Sequence, residues 1–406
     1  LSFELADLNG KVFIRPSGGD IIKAHCEEKT VVAEVNELVT LCSFAGERFD
    51  LSQAGGGNAS FVRDGELWIT ASGWPLSDVK DSTGTCRLDH AALVETMRNL
   101  KGKQAKLEKT ELERVAGKAV GQCSKTPDVR PSIETLMHCL LGPFTLHTHP
   151  IAVTALLCRK NWKAAIQSLY PEAICVDYET PGVRLALALM DKLDEISGAE
   201  NRVVDTGGNG SALSKKSKSK SKKVFLENHG VIISAPTVEE VIESTNEVVA
   251  KVGDHLGLDL SHYRLTNQIT SLMRTVSTES VCSYYCEDKV LLDALKSNED
   301  LIIERPSWPD QLVYCGSAGL RLKSLGDARS IKDFIEKYKH LPKVIVVDDH
   351  LFIVDRTIKH CRRLEEVLKA HVMMLGNADM DDVQFLSNDE QQYLLNWEAE
   401  KARQRM

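Results

Sequence analysis

Three histidines have the spacing of a metal site. His147 and His149 stand in Phe144-Thr145-Leu146-His147-Thr148-His149-Pro150, and His229 stands in Phe225-Leu226-Glu227-Asn228-His229-Gly230. In an extended strand, residues two apart project to the same face, so the first two imidazoles can converge on one ion. Pro150 biases His149 toward the extended region. His229 also closes an apolar, strand-like run. Three imidazoles from two strands predict a divalent metal with an open coordination position, the ligand count of a catalytic rather than a structural zinc. Imidazole ligands equally suit iron, copper or nickel.

Glu134 is the candidate for proton transfer. It lies in the first turn of an expected helix whose chain leads into His147 within a few residues. A carboxylate beside a metal can bind it or act as a general base. The plainer alternative is a helix-start glutamate favoured by the helix dipole. His138, one helical turn further on, competes as a ligand, although its apolar neighbours favour a packed histidine. The turns Gly55–Asn58 and Ser72–Gly73, with Ser60 and Ser132, offer backbone N–H groups and hydroxyls for an anion. Their spacings match neither a Walker A loop nor a dinucleotide fingerprint.

These residues need elements to hold them. Apolar periodicity predicts a helix from Thr30 to about Phe49. Ala59–Arg63 and Leu67–Thr70 read as a hairpin through Asp64-Gly65. Residues 99–127 are polar and lysine-rich, the composition of a surface excursion. Pro131 suits the first position of a helix carrying Ile133, Leu136, Met137, Leu140 and Leu141 on its apolar side. Further helices are expected at about Ala152–Leu169 and Gly182–Ile196. Thr237 with Glu240 forms a capping box for a helix to about Leu256. A Gly/Ser and then Lys/Ser run at about 205–223 cannot bury a core and is expected to be a disordered, solvated insertion. A second unit begins near residue 298. Asp310–Cys315, Lys343–Val347 and Phe352–Val354 read as its strands, and Thr357–Leu375 and Ser387–Arg403 as its helices. No internal repeat is visible.

The 406 residues, 43% hydrophobic and 27% charged, are those of an ordinary globular chain of two or three domains. A net charge of −8 argues against a nucleic-acid partner. No apolar run is long enough to span a membrane, and no secretory pattern opens the chain. The absence of an initial methionine points to a trimmed start, which leaves a lost targeting segment open. The 11 cysteines, an odd number in apolar or helical contexts, read as reduced thiols in a cytoplasmic compartment. Cys282 and Cys286 lack the second Cys/His pair of a zinc finger.

Five segments, in order, resemble the class II aldolase/adducin family: Gln53–Ser60, Leu67–Gly73, Arg130–Thr135, Leu146–Pro150 and Leu226–Gly230. The resemblance covers roughly residues 30–265. It implies a three-layer α/β/α sandwich with a mostly antiparallel central sheet, at 30–290. Residues 1–29 would form an N-terminal extension and 298–406 a small C-terminal α+β unit. It implies zinc on His147, His149 and His229, with Glu134 as ligand or acid/base. Asn58, Ser72, Gly73 and Ser132 match phosphate-binding positions. Ile133 departs from the pattern, since sugar-phosphate enzymes of the family often carry a second serine there. The Glu-Asn-His-Gly form, Trp308-Pro309-Asp310 and Asn396-Trp397-Glu398-Ala399-Glu400 look like a larger branch with C-terminal extensions.

The activity so implied is cleavage of a ketose or ketose 1-phosphate to dihydroxyacetone (phosphate) and an aldehyde, through a zinc-stabilised enediolate. Glu134 would move the carbon-bound proton, and Tyr178 or Tyr170 would serve the leaving aldehyde's oxygen unless each is simply packed. Active sites in the family often lie between subunits, so the resemblance implies a homo-oligomer, with a tetramer expected. A 4-epimerase, a sugar-phosphate dehydratase and an adducin-like interaction protein without catalysis are the alternatives.

Overall fold

The computed structural model describes residues 3–8, 11–16, 35–80, 83–205 and 221–397. Its main sheet has seven strands in the order Thr85–Asp89, Glu66–Thr70, Asn58–Arg63, Phe144–Thr148, Gly230–Ala235, Lys222–Leu226 and Ile174–Val176. All neighbours pair antiparallel except the last two. Helices cover both faces. Helix 35–46 and helices Ile151–Leu157, Trp162–Leu169 and Val238–Leu256 pack over Phe61, Leu146, Phe225 and Ile233. Helices His90–Lys101, Lys109–Cys123 and Val183–Asp205 cover Leu67, Ile69, Val224 and Ile232 on the other side. Period-two alternation along each strand feeds these two cores. The expected three-layer sandwich is therefore present.

Local chemistry explains several boundaries. Asp64 and Gly65 both take positive φ, 50° and 76°, as a two-residue hairpin turn requires. The Thr237 hydroxyl accepts from Glu240 N, and Gly257 ends that helix at φ 66°.

Other expectations are corrected. Pro131 does not open a helix: it bridges to Ala71 in extended form, and the helix begins only at Thr135. Ile133 is consequently exposed rather than on an apolar helix face. The 99–127 stretch is no plain excursion, because helix Lys109–Cys123 buries Leu112, Ala116 and Cys123. The helix expected at Ala152–Leu169 is two, separated by residues 158–161. Helix Val183–Asp205 outruns its expected end at Ile196. Of the Lys/Ser-rich insertion, residues 206–220 lie outside the described residues, as do 30–34 of the first helical pattern. Lys222 and Lys223 already belong to a strand. Strands Phe3–Leu8 and Lys11–Pro16 pair antiparallel in a stretch whose sequence showed only one turn.

A second sheet runs Cys282–Tyr285, His350–Asp355, Val344–Val347, Leu320–Leu322. Asp310–Cys315 is not one of its strands. Pro309 occupies the first turn of helix Pro309–Cys315, and a short apolar run reads alike in strand and helix. No helix among the described residues is long and apolar enough to cross a membrane.

Glu47 lies where helix 35–46 meets helix Arg264–Arg274 and is almost wholly buried. The Thr270 hydroxyl donates to its Oε2 at 2.6 Å, and Arg274 lies 3.5 Å from Oε1. Burial pushes its carboxyl up to about 7, against the pull of Thr270, Arg274, Asn267 and Lys80. The folded chain thus holds a proton that the unfolded chain loses near 4.5. This contribution to stability is full in acid and fades as pH rises through 7. Between pH 4.5 and 8, wild-type unfolding free energy should fall by roughly 3 kcal/mol relative to Glu47→Gln. Parallel urea titrations of the two proteins measure this, and equal pH slopes would refute it.

Candidate metal centre

Phe144–Thr148 is the central strand, and its register decides the site. His147 pairs with Asn58 on one side and with Ile232 on the other. Leu146 goes into one core, while His147 projects to the opposite face. Gly230 opens the neighbouring strand, so the turn Glu227–Asn228–His229 delivers His229 beside His147. Asn228 supports that turn with a left-handed φ of 53°.

The three imidazoles converge. His147 Nε2 lies 3.0 Å from His149 Nε2 and 3.3 Å from His229 Nε2. One ligand atom from each lies within 4.8 Å of the others. His147 Nδ1 is 3.1 Å from Val231 O and donates to it, which leaves the Nε2 lone pair facing inward. Burial pushes the His147 imidazole down to about 3 and lowers His149, so both present the neutral, ligating form. Lone pairs pointed at one place repel one another unless a cation lies between them. The donor set therefore fits a divalent ion.

Glu134 joins this cluster. Its Oε2 is 3.3 Å from His147 Nε2 and its Oε1 is 3.2 Å from His229 Nε2. Burial acts to raise its carboxyl. The attraction of His147 and His229 and the Asn58 amide together outweigh burial and hold it well below the usual range. It is not a helix-start residue facing solvent: only 5% of it is exposed.

Glycines make room for the rings. A Cβ on Gly230 would stand 2.4 Å from Thr148 O and 2.8 Å from His149 Cδ2, and one on Gly56 would stand 2.9 Å from His149 Nδ1. Gly230→Ala should lose about 1–3 kcal/mol of stability and weaken metal affinity at least about tenfold. Thermal unfolding and metal content of the purified variant test this. Wild-type values of both would show that the close approach is unimportant.

The other expected site residues divide. Ser72, Gly73 and Ser132 come together because Ser72 N donates to Arg130 O and Ser132 N donates to Thr70 O. Ser132 Oγ accepts from Glu134 N, which ties this patch to the carboxylate. Asn58 does not stand free for an anion. Its Nδ2 donates to Glu134 Oε2, and its Oδ1 faces His138 Nε2. Ser60, also considered for the anion site, is buried against His138 Nδ1. His138 does not join the three converging histidines, because both its ring nitrogens are occupied by Ser60 and Asn58. Tyr178 N donates to the Glu227 carboxylate beside the His229 turn, and its side chain is exposed. Tyr170 is not brought to the site. Its ring stacks on Phe225 in the opposite core, and its hydroxyl donates to Glu247 O.

A family model described as the class II aldolase and adducin N-terminal domain matches residues 36–251, more than half of the chain. The chain belongs to the class II aldolase and adducin family. Among solved structures, it is similar to the N-terminal class II aldolase domain of a conserved protein from Thermoplasma acidophilum. That match is 19% identical, covers 55% of this chain and 93% of the other, and has a TM-score of 0.41. A sugar-phosphate aldolase from Thermotoga maritima is 15% identical over 57% of this chain and 95% of its own, with a TM-score of 0.34. L-fuculose-1-phosphate aldolase from Thermus thermophilus is 15% identical over 54% of this chain and 94% of its own, with a TM-score of 0.32. No curated protein matches the chain.

Proposed function

We propose that this chain is a metal-dependent aldolase that cleaves a ketose or ketose 1-phosphate to dihydroxyacetone or its phosphate and an aldehyde. The observation that carries the proposal is the convergence of His147, His149 and His229 beside an ionised, buried Glu134. A scaffold without chemistry has no use for three converging imidazoles and a carboxylate. A divalent ion, zinc in this proposal, would sit on the three imidazoles and supply Lewis acidity against the negative charge left by carbon–carbon cleavage.

The protein's own residues do the remainder. Glu134 exchanges a proton with the carbon of the retained fragment. Ser72, Gly73 and Ser132 orient the far end of the substrate through hydroxyls and backbone N–H groups. Exposed Ile133 offers no hydroxyl there, which weakens the case for a phosphate group. Tyr178, at the rim, is the candidate acid for the leaving aldehyde's oxygen. A homotetramer is the proposed assembly, and light scattering tests it.

The deciding experiment is a panel of ketoses and ketose phosphates, assayed with metal content measured in parallel. Dihydroxyacetone or its phosphate plus an aldehyde supports the aldolase. An epimeric ketose phosphate as sole product would select the 4-epimerase, and a dehydrated sugar the dehydratase. Metal-free protein inert across the panel would select the adducin-like alternative.

A further inference from the structure

Glu134 is the end of a chain of buried side chains. Asn58 Nδ2 lies 2.5 Å from Glu134 Oε2, His138 Nε2 lies 2.5 Å from Asn58 Oδ1, and Ser60 Oγ lies 2.6 Å from His138 Nδ1. His138 is fully buried, Ser60 is 1% exposed and Asn58 is 6% exposed. Two segments meet here. Asn58 and Ser60 project from one face of strand Asn58–Arg63, while Glu134 precedes and His138 ends the short helix Thr135–His138.

The direction of every bond is forced. A carboxylate only accepts, so Asn58 turns its NH2 toward Glu134 and its oxygen toward His138. An amide oxygen also only accepts, so His138 carries its proton on Nε2. In that tautomer Nδ1 accepts, and the Ser60 hydroxyl must be the donor. The chain therefore runs one way, from hydroxyl to carboxylate.

We infer that Ser60, His138 and Asn58 are positioning residues that fix the Glu134 carboxylate and make Oε1 its proton-bearing oxygen, an assignment that rests on the proposed aldolase chemistry. A proton on Oε2 would set its O–H against the Asn58 N–H, donor against donor. Oε1 meets no amide N–H; its neighbour is His229 Nε2 at 3.2 Å, a nitrogen that would carry no proton when it serves as a metal ligand. In the half-reaction, Oε1 takes a proton from the carbon next to the carbonyl of dihydroxyacetone. The C–H bond breaks, an O–H bond forms, and the C–H electron pair passes into the carbonyl group. Return of a solvent-derived proton restores both partners.

Two measurements test this. The first is the tautomer of His138 in metal-loaded, 15N-histidine-labelled protein, assigned by its loss in His138→Gln. The expected form has the proton on Nε2 and a bare Nδ1, and the opposite tautomer would overturn the inference. The second is exchange of carbon-bound hydrogen with D2O, using dihydroxyacetone and dihydroxyacetone phosphate as probes. His138→Leu should keep its metal and a KM within about twofold, but lose roughly ten- to a hundredfold in kcat. His138→Gln, which keeps an N–H donor, should recover most of that rate. Wild-type kcat in His138→Leu, or equal losses in both variants with metal lost, would overturn the positioning role. A wild type that shows the expected tautomer but exchanges neither probe would overturn the aldolase reading and leave the hydrogen-bond chain supported.

Discussion

His147→Ala should lose metal and turnover together while the fold survives. His147 is the middle histidine of the proposed set, with its Nε2 within 3.3 Å of both other imidazoles and of the Glu134 carboxylate. Removing it leaves His149 and His229 facing each other across a gap, too few imidazoles for the three-ligand set of a catalytic site. Loss of a supporting partner behind a ligand already costs about ten- to a hundredfold in affinity, so loss of the ligand itself should exceed a hundredfold. Turnover should fall to background, because in the proposed mechanism the ion supplies the charge stabilisation. The strand itself is held by backbone pairing to Asn58–Arg63 and Gly230–Ala235. The variant also leaves Val231 O without its ring donor, at a cost of about 1–3 kcal/mol. Elemental analysis after dialysis, circular dichroism and the cleavage assay on one preparation measure all three. Full activity in the variant would remove the metal centre from the mechanism.

The His147–His149 pair was legible because it is local. His147 and His149 are two apart on one strand, and the alternation of a pleated strand needs no tertiary information. The Asp64-Gly65 turn and the Thr237 cap were legible for the same reason. The support behind Glu134 was not. Its hydrogen bonds join residues 76, 78 and 80 positions apart. They exist because Asn58 pairs with His147, a register that a strand's sequence leaves open. The sequence alone therefore leaves His138 open as a rival ligand and Asn58 and Ser60 as anion contacts, whereas in the fold all three face Glu134 or one another. Tyr170 failed for a related reason. One residue's shift along a strand changes its face, and Phe225, on which Tyr170 stacks, points away from the histidine face. Asp310–Cys315 and Pro131–Leu141 failed locally. In the first, Pro309 opened a helix under an apolar run that looked like a strand. In the second, pairing of Ala71 with Pro131 held the chain extended against its helical pattern.

Glu134→Gln separates chemistry from assembly. Glutamine matches glutamate in size, so the pocket closed by Asn58, His147 and His229 should stay packed. Its amide oxygen can still accept from Asn58 Nδ2, which keeps the Ser60–His138–Asn58 chain pointing the same way. The three imidazoles remain, so metal content should stay near that of the wild type. An amide does not take up a proton in this pH range, and the proton transfer assigned to Oε1 disappears. Loss of a general acid–base group costs about 10²- to 10⁴-fold in rate. We expect kcat to fall by that range, both in cleavage and in hydrogen exchange of dihydroxyacetone, with KM changed far less. This split is informative because a plain packing residue would lower stability and leave turnover per metal-loaded chain unchanged. Loss of metal with the rate would make Glu134 chiefly a ligand, and a wild-type rate would move the proton transfer to another group.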